Sequence, residues 1–183
     1  MDNGASSYRR YLNGDESAFR EIVKEYFDSL VFFIDRYVQE PAAAEDIAMD
    51  VFSDLIVHRH RYNFQVALKT YLFMIGRSRA LDYIKHRRRI TQVELSEAGE
   101  IPSEGPSPEE ILLADARKRA VNRALAQLSD DQRVAVHLVY FESLSCEEAA
   151  RVMKKNRKQI YNLLHRAKNA LRAILGEEGE LIL

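Results

Sequence analysis

The 183-residue chain has no tryptophan, a single cysteine, four prolines and seven glycines. The lone Cys146 rules out an internal disulfide framework and points to a reducing compartment. So few prolines and glycines leave long stretches without chain breakers, which favours helices. No apolar run approaches the ~20 residues that a membrane-spanning helix needs. The opening MDNGASSYRR lacks the apolar centre of a secretory signal. The cytoplasm is therefore the expected location, with no membrane insertion. Catalytic furniture is missing as well: there is no nucleophile–base pair, no glycine-rich phosphate loop and no Cys/His zinc spacing. No enzyme activity, cofactor or metal is expected, and His137 and Cys146 read as structural.

What is present suits a largely helical fold, with 46% apolar and 30% charged residues. Net charge is only −1, but it is unevenly spread. Residues 1–57 carry 5 basic against 12 acidic residues, 58–89 carry 9 against 1, 90–115 carry 0 against 7, and 116–183 carry 13 against 8. Two basic blocks separated by an acidic stretch suggest two surfaces for a polyanion.

Four positions pair a capping residue with Glu or Gln three residues later: Ser107–Glu110, Ser129–Gln132, Ser145–Glu148 and Asn156–Gln159. They predict helices of about 107–127, 129–142, 145–153 and 156–175. In the first half Phe19, Ile22, Val23, Tyr26, Leu30, Phe33, Ile34 and Tyr37 recur at helical period. Pro41 opens a second helix with Ala44, Ile47, Val51, Leu55 and Ile56 inward. A third runs from about Ala67 to Arg88, its stripe irregular after Gly76, and HRHRYNFQ before it reads as a loop. The segment ITQVELSEAGEIPSEGPSPEE is acidic and contains Gly, Pro and Ser, a linker by composition. The expected architecture is all-α, with two small helical domains (1–89 and 109–183) joined by a flexible acidic linker (90–108) that spans up to ~60 Å when extended.

The segment from Lys154 to Leu175 contains no acidic residue. With Ile160 at the centre of a buried face, Leu163, Leu164, Ala167, Leu171, Ile174 and Leu175 fall beside it. Lys158, Asn162, His165 and Asn169 fall opposite, flanked by Tyr161 and Arg166. SCEEAARVM and a tight KKN turn precede it, so the pair matches a helix-turn-helix whose second helix enters the major groove. Asn and Gln suit adenine there, and Arg or Lys suit guanine. DNA phosphates would supply the missing counter-charge.

Asp46, Asp50 and Asp54 stack at i, i+4 and i+8 on one face, which attracts cations. A docking face, a solvated face and a metal site with His58 and His60 all remain open for that row. Arg61, Tyr62, Asn63 and Phe64 put a cation, aromatics and an amide on one loop. That set suits an unstacked base, and equally a loop anchored in the core by Tyr62 and Phe64. Lys85–Arg89 reads as phosphate-contacting, or as a helix end favoured by the dipole.

Taken together the chain resembles an extracytoplasmic-function (ECF) sigma factor of bacterial RNA polymerase. The likeness is carried by GDESAFREIVKEYFDSL, AEDIAMDVFSDLI and TYLFMIGRSRALDYIKHRRR in the first half. In the second it is carried by LSDDQRVAVHLVYFESLSCEEAARVMKKNRKQIYNLLHRAKNAL. Tyr71 stands where the family usually has Trp, Ser78 where it has Asn, and Met49-Asp50 where it has Gln-Glu. The resemblance implies a non-enzymatic subunit that brings core polymerase to promoters and assists melting, with no cofactor. The alternative is a two-domain DNA-binding regulator that never joins polymerase. By resemblance, Asp46, Met49, Asp50, Ser53 and Asp54 meet the polymerase, whose largest-subunit clamp helices and flap are the implied partners. Arg61, Tyr62, Asn63, Phe64, Ser78, Arg79, Asp82, Lys85, Arg87, Arg88 and Arg89 form the minus-ten set. Arg157, Lys158, Gln159, Tyr161, Asn162, His165, Arg166 and Asn169 form the minus-thirty-five set. An anti-sigma partner masking both DNA surfaces is implied in the same way.

Overall fold

Helix follows helix through both halves of the chain. A computed structural model describes residues 4–94 and 124–175, with side chains for 4–90 and 124–174. The helices are α1 (Ala5–Leu12), α2 (Glu16–Val38), α3 (Pro41–Val57), α4 (Leu68–Glu94), α5 (Asp130–Val136), α6 (Cys146–Met153) and α7 (Arg157–Leu175). A π-helical turn, His137–Phe141, extends α5. No strand occurs among the described residues.

Local chemistry starts each helix where the sequence signals it. The Asp15 carboxylate accepts from the Ser17 and Ala18 amides at the head of α2, and Arg10 bridges Asp15 and Glu21 at 2.6 and 2.8 Å. Hydrogen bonds from Ser17 and Arg10 hold the Asp15 carboxyl down at about 2. A depressed folded pKa stabilises above the ordinary carboxylate range and loses its effect as pH falls toward 2. The thermal midpoint is therefore expected to drop between about pH 4 and pH 2, with a shallower fall in Asp15→Asn when melting is followed across that range.

Pro41 occupies the first turn of α3, where its missing N–H costs nothing. Ser129–Gln132 and Ser145–Glu148 form the expected reciprocal caps, and so do Asn156 and Gln159, bonded both ways at 2.8 Å. The Ser107–Glu110 pair and the body of the expected 107–127 helix lie outside the described residues.

Ile22, Tyr26, Leu30, Phe33 and Ile34 of α2 are buried against Ala44, Ile47, Ala48, Val51, Phe52 and Leu55 of α3 and Leu68, Leu72 and Phe73 of α4. α4 approaches α2 at Gly76, where an added Cβ would lie 2.9 Å from Leu30 Cδ1. Beyond Ala80 only Tyr83 and Ile84 are half-buried against the core, and from Lys85 through Ile90 every α4 side chain is exposed, so the helix end projects from the core. That explains why its apolar stripe becomes irregular.

Three expectations need correction. α1 is an additional helix, tied down by buried Tyr8, whose hydroxyl donates to the Leu55 and Arg59 carbonyls at 3.2 and 2.8 Å. Ile56 faces outward, not inward. Residues 90–94, assigned to the linker, continue α4.

The two halves touch. α4 packs on α6, and the buried cluster runs through both halves. Thr70, fully buried, donates to the Glu148 carboxylate at 3.1 Å. Lys69 Nζ lies 2.8 Å from Glu142 Oε2 and donates to the Glu142 carbonyl. On the other side of Glu142 stands His137, 3.2 Å from the carboxylate, its ring beside Phe32 and Phe33.

Candidate nucleic-acid interface

α6, a short turn and α7 build the helix-turn-helix. Lys154 closes α6 at φ 52, a left-handed position usually given to glycine; a lysine there costs about 1–2 kcal/mol. Ile160, Leu164, Ala167 and Leu171 pin one side of α7 into the core. Arg157, Lys158, Gln159, Tyr161, Asn162, His165, Arg166 and Asn169 are all exposed. The predicted reading face is therefore a single solvent-facing surface. Some of its groups have intramolecular partners. Gln159 Oε1 accepts from the Asn156 amide, which commits its oxygen to the cap. Arg157 pairs with Glu147 at 2.8 Å and stacks on Tyr161. His165 Nε2 and Asn169 Nδ2 lie 3.2 Å apart. Lys158, Asn162 and Arg166 point outward from the same side.

On α3, Asp46, Met49, Asp50 and Ser53 are exposed and Asp54 is half-buried. Arg79, placed with the DNA residues from sequence, reaches this row. Its guanidinium lies 2.6 Å from Asp54 and 3.4 Å from Asp50. That bond holds the Asp54 carboxyl below the usual carboxylate range. Arg79 thus neutralises part of the acidic face in this structure. Ile56 and Val57 extend the face with exposed apolar surface, Val57 being 71% exposed. Sequence reasoning missed both as surface groups; the signal was apolar residues in the last turn before HRHR. No cluster of three or more His, Cys, Asp or Glu side chains fit for a metal occurs among the described residues.

The loop from 58 to 67 splits the predicted set. Tyr62 is only 2% exposed, and its hydroxyl donates to the Val66 carbonyl at 2.6 Å. It is a core anchor here, packed on Tyr8 and Tyr71, so a base cannot stack on it in this conformation. Phe64 is partly covered, its ring 4.7 Å from Tyr62. Arg61 and Asn63 are exposed, and Asn63 Oδ1 accepts from the Gln65 amide to shape the turn. Farther along α4, Ser78, Asp82, Lys85, Arg87, Arg88 and Arg89 are exposed, Arg87 also pairing with Glu40 at 2.7 Å.

This arrangement defines a two-part helical protein, with a helix-turn-helix in one half and a basic helix beside an acidic face in the other. The comparisons agree with it. The model of sigma-70 region 2 matches residues 22–90, and that of sigma-70 region 4 matches 118–171. The ECF sigma factor BldN of Streptomyces coelicolor is 28% identical over 170 residues, 91% of this chain, which spans 63% of BldN. The sigma-H factor of Pseudomonas aeruginosa is 28% identical, with 88% of each chain covered. The fold matches that of the sigma factor RpoE of Bartonella quintana, solved with the anti-sigma factor NepR. The TM-score is 0.67 at 23% identity, covering 87% of this chain and 97% of that one. The chain belongs to the sigma-70 family, among the ECF sigma factors, the class of subunit that directs RNA polymerase to promoters.

Proposed function

We propose that the chain works in the cytoplasm as a non-enzymatic initiation subunit. Asp46, Asp50 and Ser53, with Met49 at their centre, dock on a basic surface of core polymerase. α7 reads the upstream promoter element in the major groove. Arg61, Asn63 and the α4 cations hold the melted downstream strand, whose capture draws on binding energy alone. The observation that carries this reading is the helix-turn-helix: eight basic and no acidic residues between Arg151 and Arg172, five of the basic ones on α7, with the predicted reading side chains turned to solvent. An ordinary solvated helix mixes both signs, whereas a phosphate partner removes the need. An anti-sigma protein of the kind bound to RpoE would act by covering these surfaces.

The test is capture by purified core polymerase followed by run-off transcription from a randomised promoter pool. Transcripts are expected from a selected subset. Asp46→Lys with Asp50→Lys should weaken core capture at least tenfold, since like charge juxtaposed across an interface costs several kcal/mol, while duplex binding through α7 stays unchanged. A chain that binds duplex DNA but never captures core would instead be a free-standing regulator.

A further inference from the structure

We infer that Arg9 of α1 is part of the strand-capture site, where it and the Phe64 ring form a platform for one unpaired nucleotide of single-stranded DNA. The inference rests on the strand-holding role proposed for the 61–64 loop and extends it to a helix outside that loop.

Phe64 adopts φ 61, a left-handed conformation that a bulky side chain takes only at a cost of about 1–3 kcal/mol. Such strain persists where the surroundings impose it, and it collects at ligand-binding sites. Here it holds one side of the Phe64 ring beside Tyr62 and Tyr8. The Arg9 guanidinium lies over the ring, 5.0 Å from its centre. Tyr8, the residue before Arg9, is hydrogen-bonded to the end of α3 and to the loop itself, so the backbone carrying Arg9 is fixed against the loop.

The two neighbouring arginines differ. Arg10 is neutralised by Asp15 and Glu21. Arg9 is exposed and makes no ion pair among the described residues, and the same holds for Arg59 and Arg61 of the loop. Three guanidinium groups without an ion pair among the described residues thus belong to one loop and the helix strapped to it, Arg61 acting only at longer range on Asp54. Nucleobases and guanidinium planes both stack on aromatic faces. A base has a face on which to exchange with Arg9 or sandwich against it, while the displaced charge meets the adjoining phosphate. The combination of flat π-surface and unpaired cation selects a nucleotide over an inorganic anion.

The test uses holoenzyme on a template recovered from the randomised pool and pre-melted by mismatches over the downstream element. Complex lifetime is followed across a salt series. Arg9→Ala is expected to shorten the lifetime three- to tenfold and to reduce the log–log salt slope by about 0.7, one single-strand phosphate. Arg9→Lys should restore the slope but not the full lifetime, because lysine keeps the charge and lacks the stacking plane. Core capture, upstream duplex binding and the thermal midpoint should stay at wild-type values in both. If Arg9→Ala behaves as wild type while Arg61→Ala loses lifetime, α1 lies outside the site and the inference fails with the loop reading intact. If Arg61→Ala and Asn63→Ala also change nothing, the loop reading fails and takes this inference with it. A lower melting midpoint in Arg9→Ala with equal losses on all DNA would mark Arg9 as structural and overturn the proposal.

Discussion

Asn162→Ala combined with His165→Ala is expected to flatten the preference for the upstream element, by about 1–3 kcal/mol for each base edge no longer read. Both side chains are exposed on α7, away from buried Ile160 and Leu164, and alanine is the stronger helix former. Folding should therefore be unaffected or slightly improved. The pair is chosen because His165 also touches Asn169, so the double change removes an intramolecular competitor for Asn169 together with two readers. Binding to a selected duplex and to a scrambled one should converge, while core capture stays constant. Equal losses on both duplexes and on core would show that the face packs rather than reads.

Glu142→Ala should act on the seam between the halves. Burial works to raise the Glu142 carboxyl, but His137 and Lys69 outweigh it and hold it below the usual range. Its side chain is 8% exposed. Removing it takes away the carboxylate that lies 2.8 Å from Lys69 Nζ and 3.2 Å from the buried His137 ring. Breaking a buried pair from one side costs about 3–5 kcal/mol. The low end is expected, because Lys69 is a quarter exposed and can turn to water. The loss should appear as separation of the halves, with a larger radius of gyration by small-angle scattering and a lower thermal midpoint. Glu142→Gln, which keeps an acceptor, should fall between. The wild-type contribution is present above the ordinary glutamate pKa and fades as pH drops through the lowered one. Unchanged scattering and melting in Glu142→Ala would mean that apolar packing alone holds the seam.

Much of this was legible in the residues. Three capping pairs marked helix starts because each motif closes its own hydrogen bonds within four residues. The α7 faces followed from period 3.6 and one-sided charge, except that Ile174, expected beside the buried face, is exposed in the last turn. Groups whose environment depends on distant chain were not legible. Tyr62 offers the same aromatic to a base or to the core, and only Tyr8, from α1, and Tyr71 decide the matter. α1 itself is eight residues long, and its anchoring bonds reach across about fifty positions to Leu55 and Arg59. Arg79 had carboxylates nearer in sequence, such as Asp82, but the pitch of α4 against α3 delivered it to Asp54. Ile56 read as interior because an apolar side chain beside Leu55 carries no direction of its own at a helix end.

The caps of α5, α6 and α7 are each made by residues of the same half. Thr70 borrows an oxygen of Glu148, but the Ser145 cap uses the other one. Parting the halves therefore leaves those three caps intact: it exposes side chains at the seam and severs the bonds of Lys69 and Thr70 to Glu142 and Glu148.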